Sequence, residues 1–405
     1  MIVRAAERDE YPEICELVDK AFKESTIEHT MINATTSGDP NFQKGDLRVV
    51  EADGRIASMM MLIRRPLRIG TAIVNGAMVG PVATHPSFQG KGYCSAVMRD
   101  AVQYMERQGF DITLLWGIPW LYTRYGYSPA MVKTQTAINL KRKSPSENRS
   151  YHLRSFTETD LEQMTRIYHS NTATNTCAEI RSPEMWEWRP GGSEAKLEVV
   201  TDKKGEVIAY HALGTDWGGN PCAHEIGALN HKACDAILDS LVRTAKTRGL
   251  EEFHCVVHPD HPFAHFAFGH GGEIHIKSGG GSGMARIISL TSLFSKMEKE
   301  FERRLSHSEF HNREYTLRLS IEDKPAVLDI DHGRVTTSTD DIIGDYQLDI
   351  SLACLNPLIT GYKSITDLTS SSQVEARGGK AALRLIDILF PTGFPSGGHL
   401  PLIWE

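Results

Sequence analysis

The sequence predicts a mixed α/β and α+β fold in three consecutive parts, on three observations. A strand, a loop with two glycines, a helix and a further strand follow one another between Asn75 and Pro119. Much of this first part returns in degenerate form when the chain is shifted by 150 residues. In the last third, apolar residues alternate with a period of two, the pattern of half-buried strands.

In "DEYPEICELVDKAF", Ile14, Leu17, Val18 and Phe22 stand at helical spacing behind acidic residues and Pro12, which suit a first turn. "LRVVEADGRIASMMMLI" reads as a hairpin turned at Asp53 and Gly54. A third strand, about Asn75 to Thr84, leads into "QGKGYCSAVMRDAVQYMERQGF". There Val97, Ala101, Val102 and Met105 recur at steps that put them on one side of a helix, and Gly109 caps its end. "FDITLLWGIP" is the next strand.

Shifted by 150 residues, Arg4, Glu10, Ile14 and Leu17 fall on Arg154, Asp160, Met164 and Ile167. "TRGLEEFHCVVHPDHP" echoes "RQGFDITLLWGIP", with Gly249 on Gly109. The second copy carries "EIGALNHKACDAILDSL" where the first has its glycine-bearing loop, so the copies are not equivalent. "KSGGGSG" reads as a flexible loop or junction. Beyond it, "EYTLRLSIEDKPAVLDIDHGRV" and "DYQLDISLACL" read as strands and "GKAALRLIDILF" as an amphipathic helix. The expected parts are residues 1–148, 149–285 and 286–405.

At 40% hydrophobic and 23% charged the 405-residue chain reads as an ordinary soluble globular protein. Its formal charge of −7, without a block of five or six like charges, speaks against a nucleic-acid surface or a polybasic membrane patch. The start has no apolar core of signal-peptide length, and no uncharged apolar run reaches about 18 residues, so a cytoplasmic protein is expected. Seven scattered cysteines without a CxxC pair point to reduced, mostly buried thiols. In "FHCVVHPDHPFAHFAFGH", His254, His258, His261, His265 and His270 with Asp260 offer metal-binding side chains. The strand, proline and helix they cross scatter them, and no HExxH is present, so no metal is expected.

A backbone phosphate site needs successive N–H groups pointing one way at a helix N-terminus. Gly90 and Gly92 let the backbone approach without a Cβ in the way, and Lys91 adds a charge. Such a loop suits a pyrophosphate; taken alone it is also an ordinary turn. It matches neither the GxGxxG dinucleotide pattern nor the P-loop.

"VATHPSFQGKGYCSAVM" resembles motif A of the GNAT superfamily of acetyltransferases, Gln/Arg-x-x-Gly-x-Gly/Ala, with Cys94 where glycine or alanine is usual. "WLYTRYGYSPA" resembles a later segment of that superfamily. The whole arrangement resembles the Eis family: an active GNAT unit, a degenerate second unit, and a C-terminal α+β domain similar to sterol carrier proteins. The resemblance implies acetyl-CoA as donor and no metal. By position it implies that Val82, Ala83 and Thr84 pair with the pantetheine arm. Gln89, Gly90, Lys91, Gly92, Tyr93, Cys94 and Ser95 would surround the pyrophosphate, with Gly117 and Ile118 on the neighbouring strand.

The implied acceptor is a primary amine of an aminoglycoside-like polyamine or of a lysine, and the implied assembly a homo-oligomer, a hexamer. Tyr122 falls on the general acid; otherwise it is a packing aromatic, as Tyr125 and Tyr127 are expected to be. The base implied is the main-chain carboxylate of Glu405, one residue past Trp404, where family members end in an aromatic; otherwise Glu405 is a tail residue. Glu24, Glu28 and Asp39 either attract a cationic acceptor or are solvated surface groups. A different class of function is a non-catalytic carrier of an apolar ligand in the last domain, with the GNAT units as scaffold.

Overall fold

The computed structural model describes the chain apart from residues 24–26, 141–150, 189–195, 216–220, 322–323, 341, 371–373 and 397–405. Glu24 and Glu405 thus lie outside the described residues. The chain forms two compact units: Met1–Val132, Thr174–Glu179 and Ser278–Gly397 make up the first, and the rest, chiefly Lys133–Ala173 and Ile180–Lys277, the second.

The first unit opens with the expected hairpin. Leu47–Ala52 and Arg55–Arg64 pair antiparallel, and Asp53 and Gly54 take positive φ angles of 52° and 70°, the turn whose twist matches its strands. Seven strands follow the order Ile2–Ala5, Leu47–Ala52, Arg55–Arg64, Gly76–Thr84, Ile112–Trp116, Gly283–Ile287, Ser128–Pro129. Gly76–Thr84 and Ile112–Trp116 run parallel, so the chain must cross over between them, and it does so through the helix Tyr93–Arg107. That helix buries Val97, Met98, Ala101, Tyr104 and Met105 against Met60, Leu62, Val79 and Leu115. Each large apolar side chain contributes roughly 1.5–3 kcal/mol by leaving water.

The sixth strand of this sheet, Gly283–Ile287, comes from far along the chain and lies between Ile112–Trp116 and Ser128–Pro129. The strand that follows Ser128–Pro129 in sequence, Lys133–Asn139, belongs instead to the second unit's sheet. The chain therefore leaves the first unit after Val132, returns for Thr174–Glu179, and re-enters it again at Ser278, within the glycine-rich run. The expected cut at 285 falls inside a strand of the first unit, the one at 148 falls within the second unit, and the last third is part of the first. Neither short segment carries a sequence pattern that names its partner strand.

The last third adds a five-stranded sheet in the order Arg334–Ser338, Lys324–Asp331, Glu314–Ile321, Tyr346–Ile350, Val374–Arg377, with the expected helix at Gly379–Leu389. The second half of "DYQLDISLACL" is helical rather than extended: Leu352–Thr360 starts after Ser351 and stops at Gly361, φ 75°. The helix Leu290–Leu305 carries Glu300, which accepts from Arg303, Arg304 and the Thr71 hydroxyl at 2.6–2.8 Å. Burial alone would raise its pKa; these donors outweigh it and hold the carboxyl down at about 2.

The second unit's seven strands are ordered His152–Ser155, Lys196–Thr201, Val207–Thr215, Pro221–Ala228, Glu252–Cys255, Lys133–Asn139, Glu273–Lys277. Again one pair is parallel, Pro221–Ala228 with Glu252–Cys255, crossed by the helix His231–Arg248. Two details of the first unit recur here. Arg4 grips Glu10 at 2.6 Å and Arg154 grips Asp160 at 2.6 Å, and Gly109 and Gly249 end the crossover helices at φ 69° and 67°.

The histidine-rich run lies in this unit. His258 Nδ1 accepts the Asp260 N–H at 3.1 Å, and His254 Nε2 is 2.7 Å from Glu252. His261 caps the helix Pro262–Gly269: its Nδ1 accepts the Phe263 N–H at 3.0 Å, so its Nε2–H donates to Asn171 Oδ1 at 3.1 Å. The cap needs a neutral ring, and burial holds its pKa down at about 3; burial likewise holds the fully enclosed His211 at about 4. Both values lie below the unfolded value of about 6.5, so the unfolded chain binds more protons as pH falls below it, and folded stability drops. At pH 5 each histidine should cost roughly 2 kcal/mol relative to pH 8. Hydrogen exchange across Val207–Thr215 and Pro262–Gly269 should accelerate between pH 8 and 5 after correction for the intrinsic rate, and His261→Gln should flatten that dependence around Pro262–Gly269.

Candidate active site

The parallel ladder of the first unit consists of Gly76, Ala77 and Met78 against Ile112, Thr113 and Leu114. Past it the two strands follow different partners: Val82, Ala83 and Thr84 stay in register with Met60, Met59 and Ser58, while Leu115 and Trp116 pair with Met284 and Gly283. Among the described residues, no backbone pairing joins the two strands beyond the three-residue ladder. Extended backbone turns alternate N–H and C=O groups to each side, so this opening has polar main-chain groups along its walls.

The loop from Gln89 to Ser95 follows at the end of the first wall. Gly90 and Gly92 adopt φ of 76° and 83°, a region that costs other residues about 1–2 kcal/mol, and a Cβ at either would meet nothing within 4 Å. The glycines thus serve backbone direction rather than tight packing. Gly92 is the N-cap of the helix Tyr93–Arg107 and has no side chain with which to cap it. The helix's first N–H groups are left to an external acceptor, where the dipole favours an anion. Lys91 is exposed, its Nζ 5.2 Å from the Phe88 ring centroid. Cys94, the departure from the motif, is half-buried, and the other six cysteines are buried; none forms a disulfide.

Across the opening, Gly117 ends the second wall and the short helix Pro119–Tyr122 begins after Ile118. A Cβ on Gly117 would lie 2.4 Å from Tyr122 Cε2, so the glycine makes room for the tyrosine ring. The half-buried ring packs in one cluster with Val82, Tyr93 and Cys94 and edge-on to Tyr127 at 6.1 Å. Burial pushes the Tyr122 hydroxyl pKa far above the ordinary tyrosine value, which keeps it a proton donor at any physiological pH. Tyr125 and Tyr127 are buried and bonded: the first donates to Ser95 Oγ at 2.9 Å and the second shares a 2.8 Å bond with Thr113. Of the sequence-derived residues, Val82, Tyr93, Cys94 and Tyr122 pack in one cluster, and Gly117 lies against the Tyr122 ring.

Sequence reasoning missed what holds the Tyr122 segment in place. Asn356, fully buried, donates to Gly126 O and Ser128 Oγ at 3.0 Å and accepts the Ile287 N–H at 2.9 Å. Thr360 donates to Ala130 O at 2.9 Å, and Arg286 donates to Tyr125 O. An asparagine 230 residues distant carries no local signal of such a role.

Of the three acidic residues near the first helix, Asp39 is neither solvated nor available: it sits 2.6 Å from Arg65 with both side chains buried. Glu28 has a buried carboxylate oxygen with no hydrogen-bond partner among the described residues. It belongs to the helix Ile27–Gly38, which packs on the strand Gly76–Thr84. Among the described residues, the one grouping within metal-ligating distance is Glu314, Asp331 and His332, all exposed; the histidines of the second unit form none. No described helix is long and apolar enough to cross a membrane.

The acetyltransferase (GNAT) domain model matches residues 2–130, the stretch that contains both walls, the loop and Tyr122. Among solved structures, a GCN5-related N-acetyltransferase from Anabaena variabilis aligns over 98% of both chains at 14% identity and TM-score 0.75. One from Kribbella flavida aligns over 98% of this chain and 97% of its own at 14% identity and TM-score 0.76. Eis1 from Mycobacterium abscessus covers 98% of this chain and 99% of its own at 15% identity and TM-score 0.68. No curated protein matches the sequence. At such identities the structural likeness concerns the fold. With the domain match, it makes this chain an acyltransferase of GNAT fold, a class whose donor is an acyl-CoA.

The open backbone at Gly90 and Gly92 and the uncapped helix fit such a donor's pyrophosphate. Gly92→Glu should abolish acyl-CoA binding by calorimetry while lowering stability by about 1–2 kcal/mol. Asn356→Ala should lower stability by roughly 2–4 kcal/mol in urea unfolding, with exchange accelerated at Gly126–Ser128, because it orphans buried backbone groups.

Proposed function

We propose that this protein transfers an acetyl group from acetyl-CoA to a primary amine by direct attack of the amine on the thioester. The observation that carries the proposal is the contrast between two crossover helices of one chain. In the first unit the helix begins at Gly92 with its N–H groups uncapped; in the second, Asn230 Oδ1 accepts the Ala233 N–H at 3.1 Å and fills that role. In this reading the first unit is catalytic, the second a degenerate copy, and the last third a sterol-carrier-like module.

The chemistry needs two proton movements. A lysine-like amine with pKa about 10.4 must lose a proton before it attacks, at a cost of roughly 4–5 kcal/mol at neutral pH. The departing CoA thiolate must be protonated or hydrogen-bonded. Tyr122 serves the second task, because burial keeps its hydroxyl protonated beside the opening. The first falls to the carboxylate of Glu405. The unpaired oxygen of Glu28 supports an ammonium-bearing acceptor, for which it would be a partner. The acceptors proposed are aminoglycoside-like polyamines and protein lysines, and the setting a cytoplasmic homo-oligomer, a hexamer.

Tyr122→Phe removes the donor without emptying its volume. Turnover, followed as free CoA thiol against a panel of an aminoglycoside, spermidine and a lysine peptide, should fall roughly 100-fold or more, with acetyl-CoA affinity within twofold of wild type. Unchanged turnover would make Tyr122 a packing residue.

A further inference from the structure

The second unit contains an open cavity of about 520 Å³, between its sheet and the C-terminal half of the helix His231–Arg248. This size suits a small metabolite. It lies at the opposite end of that helix from Asn230, so it is not a remnant of a phosphate loop.

Its walls mix apolar and polar groups, and their charged residues are mostly cationic. Lys196, Arg243 and Arg248 line it against one carboxylate, Glu198. Glu198 is largely buried and held 2.6 Å from the Lys196 ammonium, so that pair is internally neutral. Arg243 binds Asp239 through Nε at 3.1 Å and Nη2 at 2.9 Å, an orientation fixed further by the Tyr151 hydroxyl donating to the same Asp239 oxygen at 2.6 Å. Arg248, exposed at the rim, adds a charge with no carboxylate on the wall to offset it. The helix's own C-terminal end is weakly negative, and the unpaired charge of Arg248 offsets it.

One wall has been reshaped. Pairing passes from Ala212 opposite Glu225 to Leu213 opposite Ala223, which leaves His224 as the extra residue of a bulge. Bulges redirect side chains and are enriched beside ligand sites. The His224 ring lies over Gly214, where a Cβ would come within 2.7 Å of Nε2, and it lines the cavity. Beneath, the buried His211 Nε2 meets Ser240 Oγ at 2.9 Å, so the floor is polar as well.

We propose that this cavity is a second ligand site, for a small organic anion carrying a carboxylate or a phosphate. Arg248 supplies the uncompensated positive charge, and the Arg243 guanidinium, His224 and the Thr244 hydroxyl supply directed hydrogen bonds. This site is independent of the acyl-transfer reading of the first unit.

The test is calorimetric titration of the full chain with citrate and with glucose 6-phosphate at matched ionic strength, with spermidine as the cationic counterpart. One or both anions should bind saturably with a stoichiometry of one. Arg248→Met and Thr244→Val, surface changes that leave the Arg243–Asp239 pair intact, should each weaken binding fivefold or more without altering acetyl-CoA titration. Citrate alone would identify carboxylates as the ligand chemistry, glucose 6-phosphate alone a phosphate. The proposal is overturned if neither anion binds while acetyl-CoA does, if both variants bind like wild type, or if spermidine binds in place of the anions.

Discussion

The parallel ladder between Gly76–Thr84 and Ile112–Trp116 holds for three residue pairs and then gives way. A longer ladder would close the sheet, satisfy its backbone groups internally and leave no room for a ligand between the strands. Where the pairing stops, the loop from Gln89 to Ser95 and the segment of Tyr122 follow at the carboxyl ends of the parallel strands, where open α/β sheets bind ligands. The second unit repeats the short ladder, with two pairs, Cys222–His254 and Ala223–Cys255. What differs between the units is the helix N-terminus, uncapped at Gly92 and capped by the Asn230 side chain.

Features governed by neighbours in sequence were legible before any coordinates. The Asp53–Gly54 turn, the glycine stop at Gly109 and the loop at Gly90 and Gly92 each follow from a backbone conformation that few residues adopt. The repeat was legible because it keeps one ion pair in two places, Arg4 with Glu10 and Arg154 with Asp160. Tyr122 was legible only through resemblance, since a half-buried tyrosine beside a glycine has no distinguishing local pattern.

What was not legible depends on contacts between distant segments. Nothing local in Lys133–Asn139 or Gly283–Ile287 says which sheet each strand joins, so the domain cuts were placed by sequence order rather than by pairing. Asn356 reads as one polar residue in an apolar helix; only the fold shows that it ties three backbone segments together. Asp39 looked like a surface carboxylate because its partner, Arg65, is 26 residues away.

The exchange of strands also orders events during synthesis. Translation delivers the first unit's strands through Ser128–Pro129 early, yet the strand that seats against Ile112–Trp116 is finished only at Ile287, after the whole second unit has left the ribosome. During that interval Ile112–Trp116 is an unpaired apolar edge, the kind of surface that recruits wrong partners. The nascent chain must keep this edge covered or simply outpace aggregation, and the second unit, whose sheet is assembled from residues 133–277 alone, is the part able to fold while it waits.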